Sequence, residues 1–114
     1  MALVIPLDEL RSSPTASLFE GRRHAEGVEI SCFVVDTTPG RGPVLHTHPY
    51  PEVFVVLEGE ATFTVGDEEV VVTGGNVAIA PGETPHKFIN SGDGPLKMVN
   101  IHQSGEVVQT DLEG

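Results

Sequence analysis

The chain has one cysteine, one tyrosine and no tryptophan among its 114 residues, and only 6 lysines and arginines against 17 aspartates and glutamates. Each shortage excludes something. With Cys32 alone, neither an intrachain disulfide nor a cysteine-based zinc site can form. A net charge of −11 repels phosphate backbones, so nucleic acid is not expected as a partner. No apolar run approaches the ~18 residues of a membrane span. The opening MALVIPLDEL is apolar for a few residues only, then acidic, and does not read as a secretory leader. No membrane partner is expected, and a reducing cytoplasm is the expected location. A chain of this length is one domain and can bury roughly two-thirds of its unfolded surface without cross-links.

Glycine and proline are plentiful, at 13 and 9 residues, and they punctuate β-branched runs. From Val28 onward the pattern is strand after strand at roughly 8–12-residue spacing, each closed by Gly or Pro. VEISCFVV stops at Thr38-Pro39-Gly40. Short strands follow around Val44–His48 and Glu52–Leu57, and EATFTV closes at Gly66-Asp67. EEVVVT ends at Gly74-Gly75, NVAIA at Pro81-Gly82, HKFIN at Gly92-Asp93-Gly94, and LKMVNIH before Gly105. This is an all-β sandwich or barrel pattern. Residues 1–27 are the least regular: VIPL suggests a short strand, and Ser13-Pro14 to Leu18 suggests one helical turn. Residues 1–27 are expected to form an N-terminal arm, 28–103 the barrel and 104–114 a tail.

The run GRGPVLHTHPYPEVFVVLEG places His46, His48 and Glu52 in strand-like sequence between Gly40 and Gly59. Residues two apart on a strand share a face, so the two imidazoles stand about 6–7 Å apart along it. Pro49 and Pro51 interrupt the strand around Tyr50, and Glu52 opens the next one. Buried unpaired, such groups cost several kcal/mol. Imidazole nitrogens with a carboxylate oxygen are instead a ligand set for Mn, Fe, Co, Ni, Cu or Zn. His86, after the Pro81-Gly82 turn and Pro85, completes a three-His, one-Glu set if its strand packs beside the first two.

These residues resemble the cupin family. Gly40, His46, His48, Glu52 and Gly59 meet its first motif, G-x5-H-x-H-x3–4-E-x6-G. Gly75, Pro81, His86 and Asn90 meet the second, G-x5-P-x-G-x2-H-x3-N, with one departure: glycine falls at Gly82, and Glu83 stands where the family has glycine. Altered turn geometry with an intact ligand is the expected result. The resemblance spans about residues 28–103. It implies a small double-stranded β-helix, the jelly-roll barrel of single-domain (monocupin) members. It further implies one divalent transition metal held by His46, His48, Glu52 and His86, and a homodimer with N-terminal strands packed or exchanged between subunits.

Around that site, alternation turns Phe54 inward with Glu52, Phe88 inward with His86, and Phe63 inward on the next strand. They either fill the core or wall a small-molecule pocket. Tyr50, at a bend, and His102, at a strand end, are further candidates for substrate contact, although simple exposure suits both. Lys87 and Lys97 alternate outward, leaving few cationic groups for a phosphorylated or dianionic substrate.

The function this implies is a metal-dependent oxidoreductase, dioxygenase-like, acting on a small organic molecule, with Glu52 able to accept a proton. Isomerisation and decarboxylation use the same kind of site. The alternative is a non-catalytic module that senses or holds a small ligand or metal. Storage relatives fit less well, because they tend to be longer and to have lost ligands.

Overall fold

The computed structural model describes residues 2–113. Eleven strands make up the described fold: β1 (Arg11–Ser13), β2 (Ala16–Glu20), β3 (Ser31–Thr37), β4 (His46–Thr47), β5 (Glu52–Glu58), β6 (Glu60–Val65), β7 (Glu68–Thr73), β8 (Asn76–Ala80), β9 (His86–Asn90), β10 (Leu96–His102) and β11 (Thr110–Asp111). They pair antiparallel in two facing sheets, ordered β1-β2-β3-β10-β5-β8 and β11-β4-β9-β6-β7. This is the double-stranded β-helix, a jelly roll. Strands β6 to β10 cover the same residues that the sequence pattern marks, because turn residues close each run; β6, β9 and β10 also alternate in burial, whereas β7 is exposed at all but Val72.

The N-terminal region differs from its expected form. Residues 4–6 are extended without pairing, a 3-10 turn occupies Leu7–Leu10, and Ser13–Leu18 forms no helical turn. Instead Pro14 and Thr15 make a bend that lets β1 and β2 pair, and β2 adds to β3 with Leu18 opposite Phe33. These strands are short, and β1 is polar throughout, so they carry little hydrophobic periodicity; an adjacent sheet edge supplies their partner. Residues 104–112 also return to the barrel, where β11 pairs with β4 and Leu112 N–H donates to Leu45 O at 2.8 Å.

The barrel interior is divided along its length. One end is packed by Phe54, Val56, Ala61, Phe63, Leu96 and Met98, all at most 1% exposed. Phe54 and Phe63 meet edge to face with centroids 4.8 Å apart, a preferred arrangement for aromatic pairs. Asn90 closes this end: its Nδ2 donates to Thr37 O and Gly94 O, both at 2.9 Å, and its Oδ1 accepts from Gly92 N–H. The other end holds the ionisable side chains.

Outside, the larger sheet is apolar as well. Val53 and Val55 on β5 sit in register with Ile79 and Val77 on β8 and with Ile101 and Val99 on β10. Val77 and Ile79 are 60% and 62% exposed. A strand apolar on both faces is typical of sheets covered on both sides.

Candidate metal centre

His46 on β4 lies opposite His86 on β9 in the small sheet. Glu52 starts β5 in the large sheet, paired with His102 on β10. His48 follows β4, just before the two prolines turn the chain across to β5. Facing sheets therefore bring His46, His48, Glu52 and His86 together, all buried, with one donor atom from each lying within 4.8 Å of the others.

Each of the three motif imidazoles is fixed by its other nitrogen. Nδ1 of His46 donates to Val44 O at 2.6 Å, Nδ1 of His48 to Val108 O at 2.8 Å, and Nδ1 of His86 to Thr84 O at 2.9 Å. A proton committed there leaves the Nε2 lone pair of a neutral ring free, the tautomer in which histidine ligates metal. Nε2 of both His48 and His86 lies 3.0 Å from Glu52 Oε1. The His48 Nε2 is enclosed without a hydrogen-bond partner. Donors about 2.1 Å from a common ion are at most about 4.2 Å apart, so a small contraction of this cluster seats a first-row ion. An enclosed, unpartnered lone pair within three nitrogens and one oxygen fits such an ion.

Burial works against the Glu52 charge, but the close approach of the His102, His48 and His86 imidazoles prevails and holds its carboxyl far below the usual carboxylate range. Burial pushes His46 below its ordinary value. Burial opposes protonation of His86 too, yet the contact with Glu52 and the Thr84 carbonyl push it up. Two of these environments thus favour the unprotonated ligand, whereas that of His86 favours its protonated form, with which a metal would compete.

His102 corrects the expectation of a partly exposed strand end: it is 0% exposed. Its Nε2 lies 3.2 Å from Glu52 Oε2, and its Nδ1 lies 2.7 Å from Tyr50 Oη. Tyr50 is half-buried and stacks on His48, with centroids 5.2 Å apart and planes 8° off parallel. Tyr50 therefore stands behind the ligands, and His102 links it to Glu52 while also lining the cavity beside the cluster.

A cavity of about 360 Å³ opens beside the cluster and reaches His46, Glu52 and His102. Of the three inward phenylalanines, Phe88 lines it, whereas Phe54 and Phe63 are absorbed in the packed end. Phe33, Arg41, Asn100 and Gln109 also line it, although none was expected as a substrate contact; alternation had put Asn100 on the face of His102. Arg41 escaped because it lies in a loop, and the place of Asn100 at the cavity follows only from the pairing of β10 with β5. Lys97 is exposed, and Lys87 pairs with Glu113 at 3.1 Å. Arg41 is thus the cationic group at the cavity, where few were expected.

Glu83 adopts φ 64°, the left-handed conformation, at the position where the motif has glycine, and its N–H donates to His48 O at 2.8 Å. The turn keeps a glycine-like backbone despite the substitution, and His86 stays in place.

Comparison with known proteins agrees with this geometry. An uncharacterized protein of Methanocaldococcus jannaschii is 33% identical over 75 residues, which is 65% of this chain and 60% of that one. The chain thus spans less than two-thirds of that relative's length. Among solved structures, an uncharacterized conserved protein with a double-stranded beta-helix domain from Klebsiella pneumoniae matches over the whole of both chains, with 23% identity and a TM-score of 0.74. Oxalate decarboxylase of Lactobacillus farciminis, solved as a formate complex, matches 92% of this chain but only 34% of its own, with 21% identity and a TM-score of 0.80. These structures share the fold. Residues 33–102 match the cupin domain family model. That span contains the whole His46, His48, Glu52 and His86 cluster and the strands that assemble it, and the chain belongs to the cupin domain family.

Proposed function

We propose that this protein is a metal-dependent enzyme, an oxidoreductase of dioxygenase type acting on a small organic molecule. One observation carries the reading: three histidines with Nδ1 tied to backbone carbonyls turn Nε2 toward Glu52 beside an open cavity. Closed metal sites are structural, whereas sites open to a cavity admit substrate. A divalent Fe, Mn, Co, Ni, Cu or Zn ion held by His46, His48, Glu52 and His86 would supply Lewis-acid chemistry and, for the redox-active metals, electron transfer.

The remaining work falls to the chain itself. The carbonyls of Val44, Val108 and Thr84 hold the imidazoles in the ligating tautomer. Tyr50 and His102 steady Glu52, the carboxylate placed to hold a substrate proton. Phe33 and Phe88 give the cavity apolar walls. The same fold serves an oxalate oxidase and oxalate decarboxylases, which supports redox chemistry first and decarboxylation second. The apolar outer face of β5, β8 and β10 supports a homodimer, and the single cysteine suits a reducing cytoplasm.

Elemental mass spectrometry of protein purified without a His-tag or chelator tests the reading. Near-stoichiometric metal that is lost in the His46→Ala/His48→Ala double variant is expected, followed by oxygen uptake with a small organic substrate. Metal bound without turnover of any substrate would leave a ligand-holding or sensing module. No metal, even after reconstitution, would overturn the enzyme reading.

A further inference from the structure

His48 keeps Nε2 on Glu52 only while its Nδ1 stays on Val108 O, and Val108 lies in a stretch of chain outside any strand. Among the described residues, side chains alone take the N–H groups of Val107 and Val108. Glu20 Oε2 accepts the first at 2.9 Å, and Tyr50 Oη accepts the second at 3.1 Å. The Val108 side chain is itself 44% exposed, so its packing does little to fix that peptide.

Glu20 is the last residue of β2, and its side chain is 14% exposed. Its Oε1 meets Arg23 Nε at 2.8 Å, which leaves Oε2 for Val107. The 3-10 turn that follows, Gly21–Arg23, holds the start of the same stretch. Arg22 N–H donates to Gly105 O at 3.0 Å. Gly105 packs so closely against the turn that a Cβ would stand 2.9 Å from Arg22 Cβ.

We propose that Glu20 is a positioning residue of the metal centre: its carboxylate fixes Val107 and Val108, and through Val108 O it sets the tautomer and direction of His48. The consequence for a metal rests on the metal-centre reading, whereas the hold on the His48 ring does not.

The ion pair with Arg23 does not account for Glu20. Arg23 is 73% exposed, and pairs so exposed contribute little. The bond to Val107 N–H is charge-assisted and joins residues 87 positions apart. Without it, Tyr50 alone restrains the two valine amides, and the Val108 carbonyl is free to turn from His48. A neutral ring released at Nδ1 exchanges between two tautomers, and only the one protonated on Nδ1 offers Nε2 to an ion.

Proton–nitrogen NMR of the metal-free protein tests the geometry. His46, His48 and His86 should each show a protected Nδ1–H in the wild type. Glu20→Ala should speed solvent exchange of the His48 Nδ1–H and the Val108 amide about tenfold or more, and leave His46 and His86 unchanged. Glu20→Gln keeps an acceptor for Val107 N–H and should restore the wild-type rates. If Glu20→Ala does not fold, Glu20→Asp takes its place, because a carboxylate one methylene shorter withdraws from Val107. Unchanged His48 exchange, equal acceleration at all three rings, or no rescue by glutamine would overturn the proposal.

Chelator competition reads the consequence for a metal. Glu20→Ala should weaken binding about fivefold, less than the roughly 10–100-fold of a residue that touches a ligand directly. The same loss is expected in a His46→Ala background and none in a His48→Ala background, where Val108 has no ring left to orient. A loss that persists in His48→Ala would overturn action through His48. A wild type that takes up no metal would count against the metal centre alone, and the ring exchange rates would still decide the role of Glu20.

Discussion

The phenol oxygen of Tyr50 lies 2.7 Å from Nδ1 of His102, and through that ring a loop residue reaches Glu52 on the barrel floor. Val108 N–H donates to the same oxygen at 3.1 Å, so the phenol proton is free to go to Nδ1. With Nδ1 accepting, the neutral His102 ring would carry its proton on Nε2, 3.2 Å from Glu52 Oε2. The relationship orients the carboxylate from the side opposite His48 and His86.

Tyr50→Phe removes the partner of His102 and the acceptor of Val108 N–H while keeping the ring stacked on His48. The loss of stability should be about 1–3 kcal/mol, read by urea denaturation. Metal affinity should fall about 10–100-fold, the usual effect of removing an outer partner of a ligand, read by competition with a chelator. Unchanged affinity would reduce Tyr50 to a packing role.

The pH dependence has two parts in metal-free protein. Glu52 is displaced downward from its ordinary 4.5, so its contribution to stability is complete above 4.5 and is lost as the pH falls toward the folded value. The urea-midpoint gap between the wild type and Glu52→Gln should therefore narrow on acidification below 4.5. His86 is displaced upward from 6.5, so its contribution is complete below 6.5 and is lost as the pH rises through its folded value. A metal must displace that proton, and metal affinity should rise with pH from below 6.5 to above it, as competition titrations would record.

Glu83→Gly should stabilise the protein by roughly 0.5–1 kcal/mol, since glycine takes the left-handed conformation without a Cβ penalty. The thermal midpoint should rise by a few degrees with metal content unchanged. Glu83→Val should lower it, because a β-branched residue at positive φ is more strained.

Lysine at Val55 and Ile79 should disperse a dimer formed through the outer face of the large sheet. Light scattering should report a dimer for the wild type and a monomer for the double variant, both with equal metal content. A monomeric wild type at micromolar concentration would count against that interface.

His46, His48 and Glu52 were legible from local spacing, and His86 from the second cupin motif. His46 and His48 share a strand face, Pro49 and Pro51 force the turn to Glu52, and Pro81 to Pro85 deliver His86 to a strand start. Strands β6 to β10 were legible for a similar reason, since alternation and turn residues act within a few positions. The N-terminal strands were not, because β1 and β2 are too short to show a period and become strands only as β2 pairs with β3 and β1 with β2.

By itself, the order of residues determined an all-β barrel, its turns and the local His46, His48 and Glu52 grouping, properties set by neighbours a few positions apart; the family motif added His86. Tertiary structure decided the rest. It placed Val108 against His48 and Tyr50, His102 behind Glu52, and Arg41 and Asn100 around one cavity. Those contacts join residues distant in the chain, and they depend on which strands become neighbours when two sheets close face to face.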